Sequence, residues 1–155
     1  MSSQKTAFKI LTVEDTPSDV EILQVYLRKA GLENEMTVLR TAEEAWAYLE
    51  GHAEIVGAGE PPALRADRSG GKNLPHLIFI DLKLPGENGL SLLRKIKAHP
   101  TLKMIPVIVN SSSPDHEDLV ASYRFGATYF LRKPCTETPL REVLAQLRTA
   151  GMLKG

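Results

Sequence analysis

Short apolar runs alternate with segments whose apolar residues recur at helical spacing, and the alternation continues along nearly the whole chain. This is the pattern of βα units wound about a parallel sheet. It predicts five strands, at Phe8–Val13, Met36–Leu39, Leu77–Ile80, Val107–Val109 and Thr128–Leu131, and five helices. The third and fourth strands are apolar at every position, as strands covered on both faces should be.

Three hydroxyl–proline pairs, Thr16-Pro17, Ser113-Pro114 and Thr138-Pro139, read as N-cap followed by first helical residue. There the hydroxyl accepts an orphan N–H and proline lacks one anyway. Thr16 with Asp19 and Thr41 with Glu44 have the spacing of capping boxes. Val20, Leu23, Leu27 and Ala30 then form one stripe, which Gly31 can end, and Leu140, Val143, Leu144 and Leu147 form another. Between about Ala53 and Pro75 the rhythm stops amid Gly57, Gly59, Pro61, Pro62, Gly70, Gly71 and Pro75. The expectation is a long loop inserted between the second helix and third strand. The whole of 1–155 is expected to be one domain, with its core at about 8–150.

Composition narrows the class. Nineteen Lys+Arg balance nineteen Asp+Glu, 43% of residues are hydrophobic and 25% charged. Collagenous, disordered and disulfide-scaffold chains are excluded, and a broad basic field for nucleic acid is absent. A lone cysteine, Cys135, cannot form an internal disulfide, and no apolar run suits a membrane span or signal peptide. A cytoplasmic protein that binds neither DNA nor membrane is expected.

In an open parallel sheet, ligands bind beyond the carboxyl ends of the strands, where successive connections diverge. The first strand ends in Glu14-Asp15, the third in Asp81, the fourth in Asn110-Ser111-Ser112-Ser113 and the fifth in Lys133-Pro134. Each residue alone has an ordinary reading as a loop charge, a turn residue or a cap. Together they give three carboxylates, a hydroxyl and a lysine around one crevice. Clustered carboxylates need a compensating cation, and all-oxygen donors suit Mg²⁺. His52, His76, His99 and His116 are scattered without ligand spacing and read as surface residues; Cys135 reads as a packing residue. An aspartate can attack phosphorus while a metal, a hydroxyl and an ammonium neutralise the phosphoryl oxygens. Asp81, ending the most apolar strand, is the candidate nucleophile.

These residues resemble the receiver domain of two-component response regulators, of the chemotaxis-regulator type. The likeness spans about 8–150 and rests on Val13-Glu14-Asp15, Asp81-Leu82-Lys83-Leu84-Pro85-Gly86 through Gly89, Val109-Asn110-Ser111-Ser112, Gly126-Ala127 and Phe130-Leu131-Arg132-Lys133-Pro134. It implies a flavodoxin-like, doubly wound parallel sheet of order 2-1-3-4-5. Asp81 resembles the phosphoacceptor, Glu14 and Asp15 the acidic pair, and Lys83 the residue whose carbonyl completes the Mg²⁺ shell. Ser111 resembles the switch hydroxyl, Lys133 the phosphate-contacting lysine and Phe130 the switch aromatic, and the peptide before Pro134 is implied to be cis. Lys83 and Phe130 stand where many relatives have Asn and Tyr. The long loop and the segment His99–Pro106 resemble, more narrowly, single-domain regulators paired with bacterial phytochromes.

The implied function is a phosphorylation-activated switch, not an enzyme acting on other molecules. Its phosphodonor is a sensor histidine kinase, of phytochrome type on the narrower likeness, and its downstream partner is a protein. Output is expected through the face of the fourth helix, fifth strand and fifth helix, where Tyr123, Phe125, Tyr129 and Phe130 concentrate four of nine aromatics and a homodimer could form. The alternatives are a Mg²⁺-dependent aspartyl phosphatase, a flavin-binding module and a non-phosphorylated receiver-like scaffold.

Overall fold

The computed structural model describes residues 8–32, 34–57, 74–112, 115–134 and 136–151. In chain order the elements are β1 (Phe8–Val13), α1 (Pro17–Lys29), β2 (Asn34–Leu39), α2 (Ala42–Gly57), β3 (Leu77–Ile80), α3 (Gly89–Ala98), a 3₁₀ turn (Leu102–Met104), β4 (Val107–Ser111), α4 (His116–Arg124), β5 (Tyr129–Arg132) and α5 (Glu137–Thr149). All neighbouring strands are parallel and the sheet order is β2-β1-β3-β4-β5.

Strand periodicity sorts the core into two layers. Leu11, Val13, Ile78, Ile80, Val107 and Val109 pack with Ala45 and Leu49 of α2 and Leu92, Leu93 and Ile96 of α3. Ile10, Leu77, Phe79, Ile108 and Leu131 pack on the opposite face with Leu23 and Leu27 of α1 and Leu140, Val143, Leu144 and Leu147 of α5. Both predicted stripes therefore lie on the same face. The two connections leaving β1 and β2 run on opposite sides, so the switch point falls between β1 and β3.

Several boundaries move. β2 starts two residues earlier than the apolar pattern indicates and β4 continues through Asn110 and Ser111, because parallel pairing holds polar residues in the ladder. β5 is Tyr129–Arg132, displaced by one residue. Helix α2 runs to Gly57, into the predicted loop, because Ala53 continues the buried stripe of Ala45 and Leu49. The rest of that loop, residues 58–73, lies outside the described residues, as do Ser113, Pro114 and Cys135.

The hydroxyl–proline reading holds for α1 in placement only: Thr16 is the N-cap residue and Pro17 follows, but the Thr16 side chain makes no cap hydrogen bond. It fails for the other two helices. The N-cap position of α4 is Asp115 and that of α5 is Thr136, leaving Pro139 third in the helix. Proline is tolerated there because the first-turn N–H groups have no intrahelical acceptor. Thr41 does cap Glu44 N–H at 3.0 Å, while the Glu44 carboxylate accepts from Arg40 N–H at 3.1 Å. Gly31 ends α1 with φ +87°, a conformation that favours glycine.

Candidate functional site

The site is assembled by strand register. Val13 pairs with Ile80, so Glu14 and Asp81 follow side by side. Glu14 N–H donates to Leu39 O at 2.9 Å and Asp81 N–H to Val13 O at 3.0 Å, which extends the ladder to both acids. Each continues the alternation that points Ile10 and Phe79 towards α1 and α5. Carboxylate oxygens of Glu14, Asp15 and Asp81 all lie within 4.8 Å of one another, the only such group of three His, Cys, Asp or Glu ligands among the described residues.

Lys133 reaches into this group from the end of β5. Its Nζ donates to Glu14 Oε1 at 2.6 Å, Asp19 Oδ2 at 2.8 Å and Asp81 Oδ2 at 3.2 Å. The lysine side chain is only 10% exposed, and Glu14 and Asp81 are 4% and 7% exposed. In so dry a setting the attraction between the ammonium and its acids far exceeds that of a surface pair. Burial alone would lower the affinity of Lys133 for its proton, but hydrogen bonds to Asp19 and Glu14 and the charge of Asp81 raise it above the ordinary lysine value. Burial pushes the Glu14 carboxyl up to about 7, with Asp81 adding to the rise and Lys133 opposing it.

Backbone groups complete the frame. Lys83 N–H donates to Asp81 Oδ1 at 3.2 Å, while the Lys83 side chain is exposed. Lys133 N–H donates to Ser111 O at 2.9 Å, tying the ends of β4 and β5, and the peptide between Lys133 and Pro134 is cis. Ser111 is fully buried at the end of β4, two residues past the Val109 that pairs with Ile80. Phe130 is half-buried in β5, packed on the α2–α3 layer, and its N–H donates to the Tyr123 hydroxyl at 3.1 Å. The loop from Leu82 to Asn88 is held by Glu43 of α2, which accepts from Glu87 N–H at 3.2 Å, and by Asn88, which caps α3 by accepting from Ser91 N–H at 2.9 Å.

The structure thus brings Glu14, Asp15, Asp81 and Lys133 together, and it adds one residue that the sequence reading assigned elsewhere. Asp19 forms no capping box with Thr16, whose side chain makes no cap hydrogen bond; it turns to Lys133 instead. A side chain in the first turn of a helix leans back towards the N-terminus, here over the strand ends, and that tilt was the available signal. The histidines stay apart from the site. His76 Nδ1 accepts from Lys9 N–H at 2.9 Å, and His99 Nδ1 accepts from Thr101 and Leu102 N–H at 3.0 and 3.2 Å, so both serve the backbone where solvated rings were expected.

Three clustered carboxylates without a nitrogen or sulfur ligand form a hard-oxygen donor set, which fits a divalent cation of the Mg²⁺ or Mn²⁺ kind. Among the described residues, no helix is long and apolar enough to cross a membrane.

Comparison with known proteins agrees with this geometry. The sequence model of the response regulator receiver domain matches residues 62–145. Response regulator Rcp1 of Synechocystis sp. is 32% identical over 124 residues, 80% of this chain and 75% of that protein. The crystal structure of the Mn²⁺-bound form of Rcp1 matches with a TM-score of 0.67 at 27% identity over 96% of each chain. The bacteriophytochrome response regulator AtBRR matches with a TM-score of 0.72 at 31% identity over 97% of each chain. The phosphorylated cyanobacterial phytochrome response regulator RcpA matches with a TM-score of 0.67 at 30% identity, covering 92% of this chain and 91% of that one. Sheet order, acidic pocket and these likenesses lead to one conclusion: the chain belongs to the response regulator receiver domain family of two-component systems.

Proposed function

We propose that Asp81 is the phosphoacceptor of this receiver and that the donor is a phosphohistidine on a sensor kinase of phytochrome type. The observation that supports it is the meeting of Asp81 with Glu14 and Lys133, from β3, β1 and β5, at the carboxyl edge of the sheet. An Asp81 carboxylate oxygen attacks phosphorus, the P–N bond to the donor imidazole breaks, and the imidazole nitrogen keeps the electron pair and takes a proton. Negative charge on the transferred group's oxygens must be neutralised as this happens. The Lys133 ammonium pairs with one oxygen and the Ser111 hydroxyl donates to another.

Glu14, Asp15, Asp81 and the Lys83 carbonyl would hold Mg²⁺, which supplies further neutralisation of phosphoryl charge when bound. The kinase type is supported by the names of AtBRR and RcpA, and by the segment His99–Pro106. The chain acts as a switch that transfers no group onward to small molecules. Phosphorylation shifts a two-state equilibrium through new charge-assisted bonds to Ser111 and Lys133, with Phe130 repacking beside them. The output face is that of α4, β5 and α5, where Val120 and Tyr123 are exposed, and its occupant is a second copy of the chain or a downstream protein.

Acetyl phosphate with Mg²⁺ tests the nucleophile. Wild-type protein is expected to gain one phosphoryl group by mass, and Asp81→Asn none. Labelling of Asp81→Asn at the normal rate would move the acceptor elsewhere.

A further inference from the structure

Lys133 is held by three carboxylates, and they are not equivalent. Glu14 and Asp81 belong to the close carboxylate group and are almost wholly buried; Asp19 lies outside that group, on the first turn of α1, with 30% of its side chain exposed. An ammonium has three N–H donors, and in this structure one goes to each acid. On the reading above, Glu14 would help to hold a divalent cation and Asp81 would carry the phosphoryl group as an acyl phosphate. Two of the three acceptors are then drawn into other bonds. Asp19 alone keeps its place, because it hangs from a helix whose Leu23 and Leu27 are buried against the sheet.

We propose that Asp19 is a positioning residue for Lys133: it tethers the ammonium at the pocket while the other two N–H donors are handed to the phosphoryl group. This rests on the phosphoacceptor reading. A lysine stem has four rotatable carbons and high conformational entropy, so an untethered ammonium leaving Glu14 and Asp81 would lose its orientation. The 2.8 Å bond from Asp19 removes that freedom in advance. The tether also explains why an acid occupies the third helical position without serving its own N-cap.

The test is a double-mutant cycle read by beryllofluoride, a phosphoryl mimic, titrated with Mg²⁺ and followed by the backbone amide NMR signal of Ser111. Asp19→Ala is expected to weaken beryllofluoride binding by about tenfold, the scale of one charge-assisted hydrogen bond. Asp19→Glu should recover most of that loss. In a Lys133→Met background, Asp19→Ala should cost nothing further. In cation-free protein, the Lys133 ammonium protons should exchange with solvent faster in Asp19→Ala than in wild type. Should Asp19→Ala prove unstable, Asp19→Asn, which keeps the side-chain shape, takes its place in the cycle.

Unchanged or tighter binding by the Asp19 variants would overturn the tether, as would an equal loss in the Lys133→Met background. Asp81→Asn separates the two readings. If that variant still binds beryllofluoride at the wild-type affinity, the phosphoacceptor reading fails; if it does not bind, the cycle judges the tether alone.

Discussion

Gly89 lies so close to the main chain of Asp81 that a Cβ on it would stand 2.3 Å from the Asp81 carbonyl oxygen. The Ile80 side chain and the Leu82 Cα would be met at 2.8 and 2.9 Å. Backbone cannot yield as a flexible side chain can, so the start of α3 and the end of β3 are fitted to a residue without a side chain. Gly89→Ala is expected to lose about 1–3 kcal/mol of stability, measured by urea unfolding, in the range of overpacked core substitutions. Its divalent-cation affinity should fall with it, since Asp81 must shift.

Lys133 gives a second prediction, in which phosphorylation and switching separate. Lys133→Ala should still accept a phosphoryl group from acetyl phosphate, because the nucleophile is intact, but it should fail to change conformation on doing so. Amide NMR shifts at Ser111 and Phe130 on adding beryllofluoride report this. Full wild-type shifts in the variant would count against the lysine's role.

The third prediction concerns pH. The folded Glu14 carboxyl is pushed up to about 7 from an ordinary 4.5, first by burial. A folded value above the unfolded one means that the cation-free protein binds a proton more tightly than its unfolded chain. The stabilisation that follows is fully present below 4.5 and is lost as pH rises through about 7. A divalent ion must displace that proton, so apparent Mg²⁺ affinity should fall as pH drops below about 7, and binding should release protons. Calorimetry in two buffers of different ionisation enthalpy would detect the release; a pH-independent affinity from about pH 5 to about pH 8 would exclude it.

The fourth prediction is of association. Val120 and Tyr123 are exposed on α4, 40% and 46%, where a helix surface is usually polar. Light scattering should show the mass doubling on addition of beryllofluoride and Mg²⁺. Tyr123→Ala should weaken that association, and it also removes the hydroxyl that accepts from Phe130 N–H.

Much of this was legible in the chain because parallel sheets bury their strands on both faces. Leu77–Ile80 could hardly be anything but a central strand, and the acids and the lysine fall at the strand ends where ligands gather. The family likeness added roles that spacing alone left open. What stayed hidden was three-dimensional. Asp19 has the spacing of a cap and does not cap, because a lysine 114 residues away offers a stronger partner than a backbone N–H. Glu43 reaches the loop after Asp81 across 44 residues, and no local pattern records that. Helix α2 outran its expected end because a buried alanine stripe outweighed the nearby glycines.

One backbone bond has a mechanical implication. Ser111 O accepts from Lys133 N–H at 2.9 Å, so the hydroxyl and the ammonium proposed above to receive the phosphoryl group ride on a single crossbar. Neither can be pulled inward without dragging the strand end that carries the other. A tug felt by either side chain is therefore delivered to β4 and β5 in concert, and through Phe130 to the surface beyond them.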